Sequence, residues 1–355
     1  MNSFNLHIIK SILFLNIVCS ISHATTHECF QIKNKELYGY RCSSKDVVIP
    51  DGVESIANKT FFNLHLTSLV LPSSLVKIDA EAFRYNNIAT VIIPNKVKEI
   101  GVAAFANAGL ISVVIPEGVV KISDSTFSNN QLTSLVLPNS LNKIGAYAFH
   151  YNRLKSIVIP ENVSEIGHSA FNFNYLESVS IPKSVVKIGE SAFAKNELTT
   201  IQLPNELTEI ADEAFMENKL TSLKIPNKTT KIGAAAFYKN QIVSLVIPSN
   251  VTEMGAYAFG WNNLTSLVIE NGIQELSFNV FWGNNLSKIV IPESVRKVDG
   301  FARNTQLSSV IIPDSVTEIA AGAFLFNGLT SVEIGRDTIV NKESFDRGVV
   351  IIRRN

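Results

Sequence analysis

The chain has 355 residues, with 31 basic and 31 acidic side chains, 46% hydrophobic residues and only 17% charged residues. A formal net charge of zero argues against nucleic acid and anionic membrane as primary partners, because both need clustered lysine and arginine.

The first 24 residues read as an export signal. A weakly basic start at Lys10 leads into an apolar stretch from Ile12 to Ile21, and Ser22-His23-Ala24 has the small-x-small form of a cleavage site. The stretch is too short to span a membrane comfortably, so no membrane insertion is expected once the signal is removed. Lipidation at Cys19 would need a small residue among Asn16-Ile17-Val18, and none is there. Cleavage after Ala24 therefore predicts a secreted or cell-surface protein. It leaves Cys29 and Cys42 flanking a segment that reads as a hairpin turning near Asn34-Lys35. Two cysteines in an exported chain favour a disulfide over a metal site, for which two thiols are too few ligands. Residues 25–49 are thus expected to be an N-terminal cap, stapled by that bond.

Beyond the cap one beat governs everything. All twelve prolines fall on a single register from Pro50 to Pro313, 22 residues apart except for a last step of 21, and the one vacant slot holds Glu270. Phenylalanine keeps the same period from Phe61 to Phe281 and resumes at Phe324 after a deletion around Phe301. Such a period marks a solenoid, here 13 coils over residues 50–334 sharing a core that no single coil could enclose. Leu-x-Ser-Leu-x-Ile, as in Leu132 to Leu137, alternates strictly and predicts a strand with one face inward. Val-x-x-Ile predicts a second, less regular strand, and Gly145-Ala-Tyr-Ala-Phe149 suits one short helical turn whose Phe plugs the core. Asparagine three residues after most of these Phe, as at Asn196, Asn218 and Asn240, suits an amide ladder that satisfies backbone groups at the corner. Before the Ile of each coil runs a column with Lys and Glu in equal number, including Lys187, Glu209 and Lys231. Its like-charge neighbours are Lys121 beside Lys143 and Glu253 beside Glu275, and the column reads as register and solubility control. Residues 335–355 end in Gly348 to Arg354, a last cap strand whose arginines keep the edge soluble.

Ile115-Pro116, Val119, Ile122, Phe127 and Leu132 make this repeat resemble the BspA-like family of leucine-rich repeats. The resemblance implies a right-handed α/β repeat solenoid, rich in β, with a parallel strand ladder. It also implies secreted or surface proteins that adhere to host matrix proteins or other cells without catalysis. A departure is the 22-residue unit with Asn where the family often has 23 residues with Cys, which predicts a tighter corner before the strand.

No nucleophile elbow, phosphate loop or metal-spaced group of histidines and carboxylates appears, so neither enzyme activity nor a cofactor or metal is expected. Binding must then be sought where coils depart from their consensus. The outward strand column runs Val48, Val70, Ile92, Val114, Val136, Val158, then Ser180, Gln202 and Lys224, then Val246, Val268, Val290, Ile312 and Glu333. The three polar replacements stand beside Ser178, Thr200 and Ser222, a polar window in an apolar rim, and make the candidate ligand site. Aromatic residues after the core Phe, among them Tyr151, Phe173 and Tyr175, add anchors within reach of it. Further aromatics of this kind are Tyr85, Tyr238, Trp261, Trp282 and Phe326, and six Asn-x-Ser/Thr sequons occur. The expected function is recognition or adhesion through a protein or glycan ligand. The rival is a structural protein that self-associates through its Val and Ile stripe.

Overall fold

The computed structural model describes residues 27–355. The export signal expected over residues 1–24, with Cys19 and the Ala24 cleavage site, lies outside the described residues. The chain divides after Leu154 into two compact units, each a parallel β-solenoid of 22-residue coils. No helix among the described residues is long and apolar enough to cross a membrane.

In the first unit a hairpin pairs Phe30–Lys33 with Glu36–Tyr40. Asn34 and Lys35, at φ 52° and 65°, carry the two left-handed residues that a tight hairpin turn needs. The hairpin is closed by the Cys29–Cys42 disulfide. Glu36–Tyr40 continues in parallel with Ser55–Ile56, then Lys77–Ile78 and Glu99–Ile100, so the hairpin covers what would be the open edge of the first coil. Tyr40 meets Phe61 at 5.3 Å with the rings tilted by 42° and begins the aromatic column, which runs on through Phe83, Phe105, Phe127 and Phe149. Within this unit Lys121 and Lys143 are direct cross-strand neighbours, as the sequence implied.

In the second unit the coil from Pro182 shows how the repeat works. Val185 turns back on the Pro182 carbonyl, and Lys187–Ile188 pairs with Glu165–Ile166. Phe193 is fully buried between Phe171 and Phe215, its ring centroid 5.4 and 5.7 Å from theirs and nearly parallel. Asn196 donates to the carbonyls of Phe171 and Phe193 and accepts the Leu176 N–H, and Asn218 repeats this one coil on. The amide thus stitches two coils where the backbone turns and cannot pair with itself. Asp299 sits in a coil with a shortened corner, where three steps separate Val298 from Phe301 against five from Ile188 to Phe193.

The structure corrects the helical turn. Ser191, Phe193 and Lys195 donate their N–H groups to Asp212, Ala214 and Met216 of the next coil, while Ala192 and Ala194 close local turns on Gly189 and Ser191. Ser191 and Lys195 have φ of 53° and 56°. With left-handed residues on either side of Phe193, every second amide runs along the solenoid axis, and a helix, which sends each amide to the residue four back, cannot form.

The column assignment of Ile312 is also corrected. Ile312 is fully buried and Ile311 is the outward residue, because the 21-residue step from Pro292 shifts the count by one, and a one-residue slip reverses a strand's faces. Residues 335–355 form more than a lone strand. Ile339–Val340 pairs with Glu318–Ile319, Phe345 stacks on Phe324 at 5.2 Å, and Val350–Arg353 pairs with Ser331–Ile334. Arg353 and Arg354 do not simply face water: they donate to the carbonyls of Arg336, Thr338 and Ile312 and to Asp314.

Candidate functional site

The strand face of the second unit is where the coils differ most. Ser178–Ser180 pairs in register with Ser156–Val158, placing Val158 opposite Ser180. Four-rung pairing joins Ser244–Ile247 to Ser266–Ile269, and Lys288–Val290 joins Ser309–Ile311. Between these two sections the ladder opens. Residues 199–203 and 221–225 form no strand, and no backbone hydrogen bond joins 200–203 to 222–225. The strand face elsewhere is built of two-stranded pairs, with no pairing between Ser266–Ile269 and Lys288–Val290, for example; this section differs in having two successive coils without a strand.

Two clefts flank the opening. One of about 500 Å3 is lined by Gln202, Asn205, Glu206, Lys224, Asn227 and Lys228. The other, about 670 Å3, takes Lys224 again, with Ser244, Val246, Ser249, Val268 and Glu270. Lys228 is tied to Glu206 by an ion pair, whereas the Lys224 amine has no hydrogen bond or ion pair among the described residues. An exposed, uncompensated ammonium between two clefts can receive a carboxylate or a carbonyl oxygen from a partner.

Of the residues singled out from sequence, Gln202 and Lys224 are brought together by the first cleft. Ser178 and Ser180, on a strand, and Thr200 and Ser222, on the unpaired stretches, are exposed but line neither cleft. Phe173 lies beneath the Lys195 amine, 4.3 Å from its ring centre, and Tyr175 is 55% exposed. Tyr151 belongs to the first unit, where its ring meets His150 edge-on at 4.6 Å. Along the apolar rim, Val48, Val70, Val114 and Val136 are half-buried, whereas Ile92 in the same unit and Val246, Val268, Val290 and Ile311 in the second are exposed.

Sequence reasoning marked Glu270 only as a missing proline. Its carboxylate accepts the Ser249 N–H at 2.9 Å and its own N–H donates to Ile247 at 3.0 Å. A proline could make neither bond, so the substitution both adds the fourth rung and supplies an acid to the cleft wall. The vacant slot itself was the signal.

The family model for the BspA type leucine rich repeat region matches residues 30–153, 142–263 and 230–348. No curated protein matches the sequence. Among solved structures, a leucine rich cell surface protein from Faecalibacterium prausnitzii is 25% identical, with 94% of this chain and 95% of that chain covered at a TM-score of 0.52. A leucine-rich repeat protein from Bacteroides ovatus is also 25% identical, covering 93% and 88% at a TM-score of 0.60. The pneumococcal vaccine antigen PcpA shares the fold at 17% identity, 94% and 99% coverage and a TM-score of 0.56.

Proposed function

This chain belongs to the BspA-type leucine-rich repeat family, and from that premise we propose that it is a non-catalytic adhesion scaffold, secreted or held at a cell surface, that binds an extracellular protein. The observation that carries the reading is the opened ladder at Gln202 and Lys224, with its unpaired amine between two clefts and the exposed strip of Val246, Val268, Val290 and Ile311 beside it. Such an arrangement supplies an apolar core and a polar, orienting edge, the anatomy of a protein interface. Ser178, Ser180, Thr200 and Ser222 add hydroxyls along the same face, and Phe173 and Tyr175 an aromatic flank. The Faecalibacterium relative, described as a cell surface protein, supports the location.

The test is a binding screen of the exported chain against purified matrix proteins and glycans, followed by the double variant Gln202→Val, Lys224→Val. Valine suits an exposed strand, so the variant should fold normally while affinity for the protein ligand falls. Full affinity in a folded variant would move the site elsewhere. A second reading draws on the exposed strip alone: it could seat a second copy of this chain. Light scattering showing a stable dimer that binds no ligand would favour it.

A further inference from the structure

The aromatic residues that follow the core Phe converge in one stretch of the second unit, on turns distinct from the strand face. Trp261 and Trp282 lie side by side with ring centres 5.7 Å apart and planes tilted by 47°. Tyr257 meets the Trp282 edge at 5.9 Å, and its hydroxyl accepts from the Asn279 amide at 3.1 Å. Arg303 lies over Trp282 at 5.6 Å and over Phe326 at 5.2 Å, which holds its guanidinium between the two rings. Trp261 is 50% exposed and Phe326 is 58% exposed.

Two features separate this cluster from simple packing between coils. Arg303 is exposed and its guanidinium makes no hydrogen bond or ion pair among the described residues, although the fork is already immobilised by two rings. The Asp346 carboxylate, which reaches the turn of Phe326, is committed to the N–H groups of Phe326 and Asn327 at 3.0 and 2.9 Å. In addition, Asn263 and Asn285, two and three residues after the tryptophans, are exposed with no side-chain hydrogen bond among the described residues. The backbone beneath is fixed: Trp261, Gly283 and Arg303 donate their N–H groups to Trp282, Ala302 and Leu325.

We propose that Trp261, Trp282, Arg303 and Phe326 form a binding site for a carboxylated sugar. The free guanidinium fork matches a carboxylate in a two-bond geometry, and its stacking removes most of the ordering cost. The face of a pyranose carries C–H groups made positive by their oxygens, which suits the negative face of an exposed indole. Asn263 and Asn285 supply amide donors and acceptors for ring hydroxyls. An acidic peptide would satisfy Arg303 equally well but would leave the indole faces without their complement.

The probes are a galacturonate tetramer and sialyllactose, each compared with its methyl ester, with binding to the intact exported chain read by quenching of tryptophan fluorescence. At least one acid should bind, and esterification or Arg303→Gln should each weaken it about 10- to 100-fold, as loss of a charge-assisted pair does. Trp261→Ala should weaken it roughly fivefold without lowering Tm, because the ring is half exposed. The Gln202→Val, Lys224→Val variant should bind the sugar unchanged, so failure here and failure of the strand-face reading are told apart. No binding of either acid, equal binding of acid and ester, or full competition by a glutamate peptide would overturn the proposal.

Discussion

At the scale of single residues the fold rests on Phe and Asn, and the surface charges add little. Phe193 is fully buried between two parallel rings, and its loss leaves a cavity that turn backbone, locked to neighbouring coils by hydrogen bonds, cannot fill. Phe193→Ala should cost about 3–5 kcal/mol in denaturant unfolding. Lys187, paired with Glu165 at 3.2 Å but largely exposed, should lose less than about 1 kcal/mol on change to Ala. Equal effects would show that the Phe column is not the core. These roles were legible from spacing alone, since a Phe every 22 residues and an Asn three later need no structure to be seen as columns. Arg303 was not legible. Nothing in a lone arginine says that two rings from neighbouring coils will hold it still and leave it unpaired.

At the scale of the element, strand, turn and corner each follow a local rule. The turn ladder was hidden because its left-handed positions hold Ser191, Lys195, Tyr257 and Trp261, residues with no intrinsic preference for that conformation. Register between coils, not residue chemistry, forces it. Strand length did have a trace in the sequence, since the rung added at Glu270 follows from the absent proline. The shortened corner of the coil at Phe301 makes a different demand. Burial raises the pKa of Asp299 above the ordinary carboxylate range, outweighing hydrogen bonds from the backbone N–H groups of Asn279 and Gly300 and the charge of Lys297. The folded protein then holds a proton that the unfolded chain has released, so this group's contribution is fully present below the unfolded pKa and is lost as pH rises through the folded one. Asp299→Asn should leave Tm unchanged near about pH 3 and raise it near about pH 7. A lower Tm at neutral pH would mean that the carboxylate is stabilising and that its hydrogen bonds dominate over burial.

At the scale of the whole molecule, each coil is stabilised chiefly by its neighbours, so the ends matter more than their size suggests. The hairpin of residues 30–40 covers the first coil with paired backbone and extends the aromatic column through Tyr40. Its own core is slight, and the Cys29–Cys42 bond, closing a separation of 13 residues, keeps it in place. By restricting the unfolded chain the bond should contribute about 3 kcal/mol. Because coupling runs from coil to coil, its loss should not be felt evenly. After reduction, amide hydrogen exchange should rise most in Glu36–Tyr40 and Ser55–Ile56, less in Lys77–Ile78, and hardly at all in Lys121–Ile122. A uniform loss of protection across the first unit would instead make the cap a determinant of global folding, with the nearest-neighbour picture wrong for this chain. Protection unchanged everywhere would mean that the hairpin holds without its staple, and that backbone pairing to Ser55–Ile56 and the Tyr40–Phe61 contact suffice.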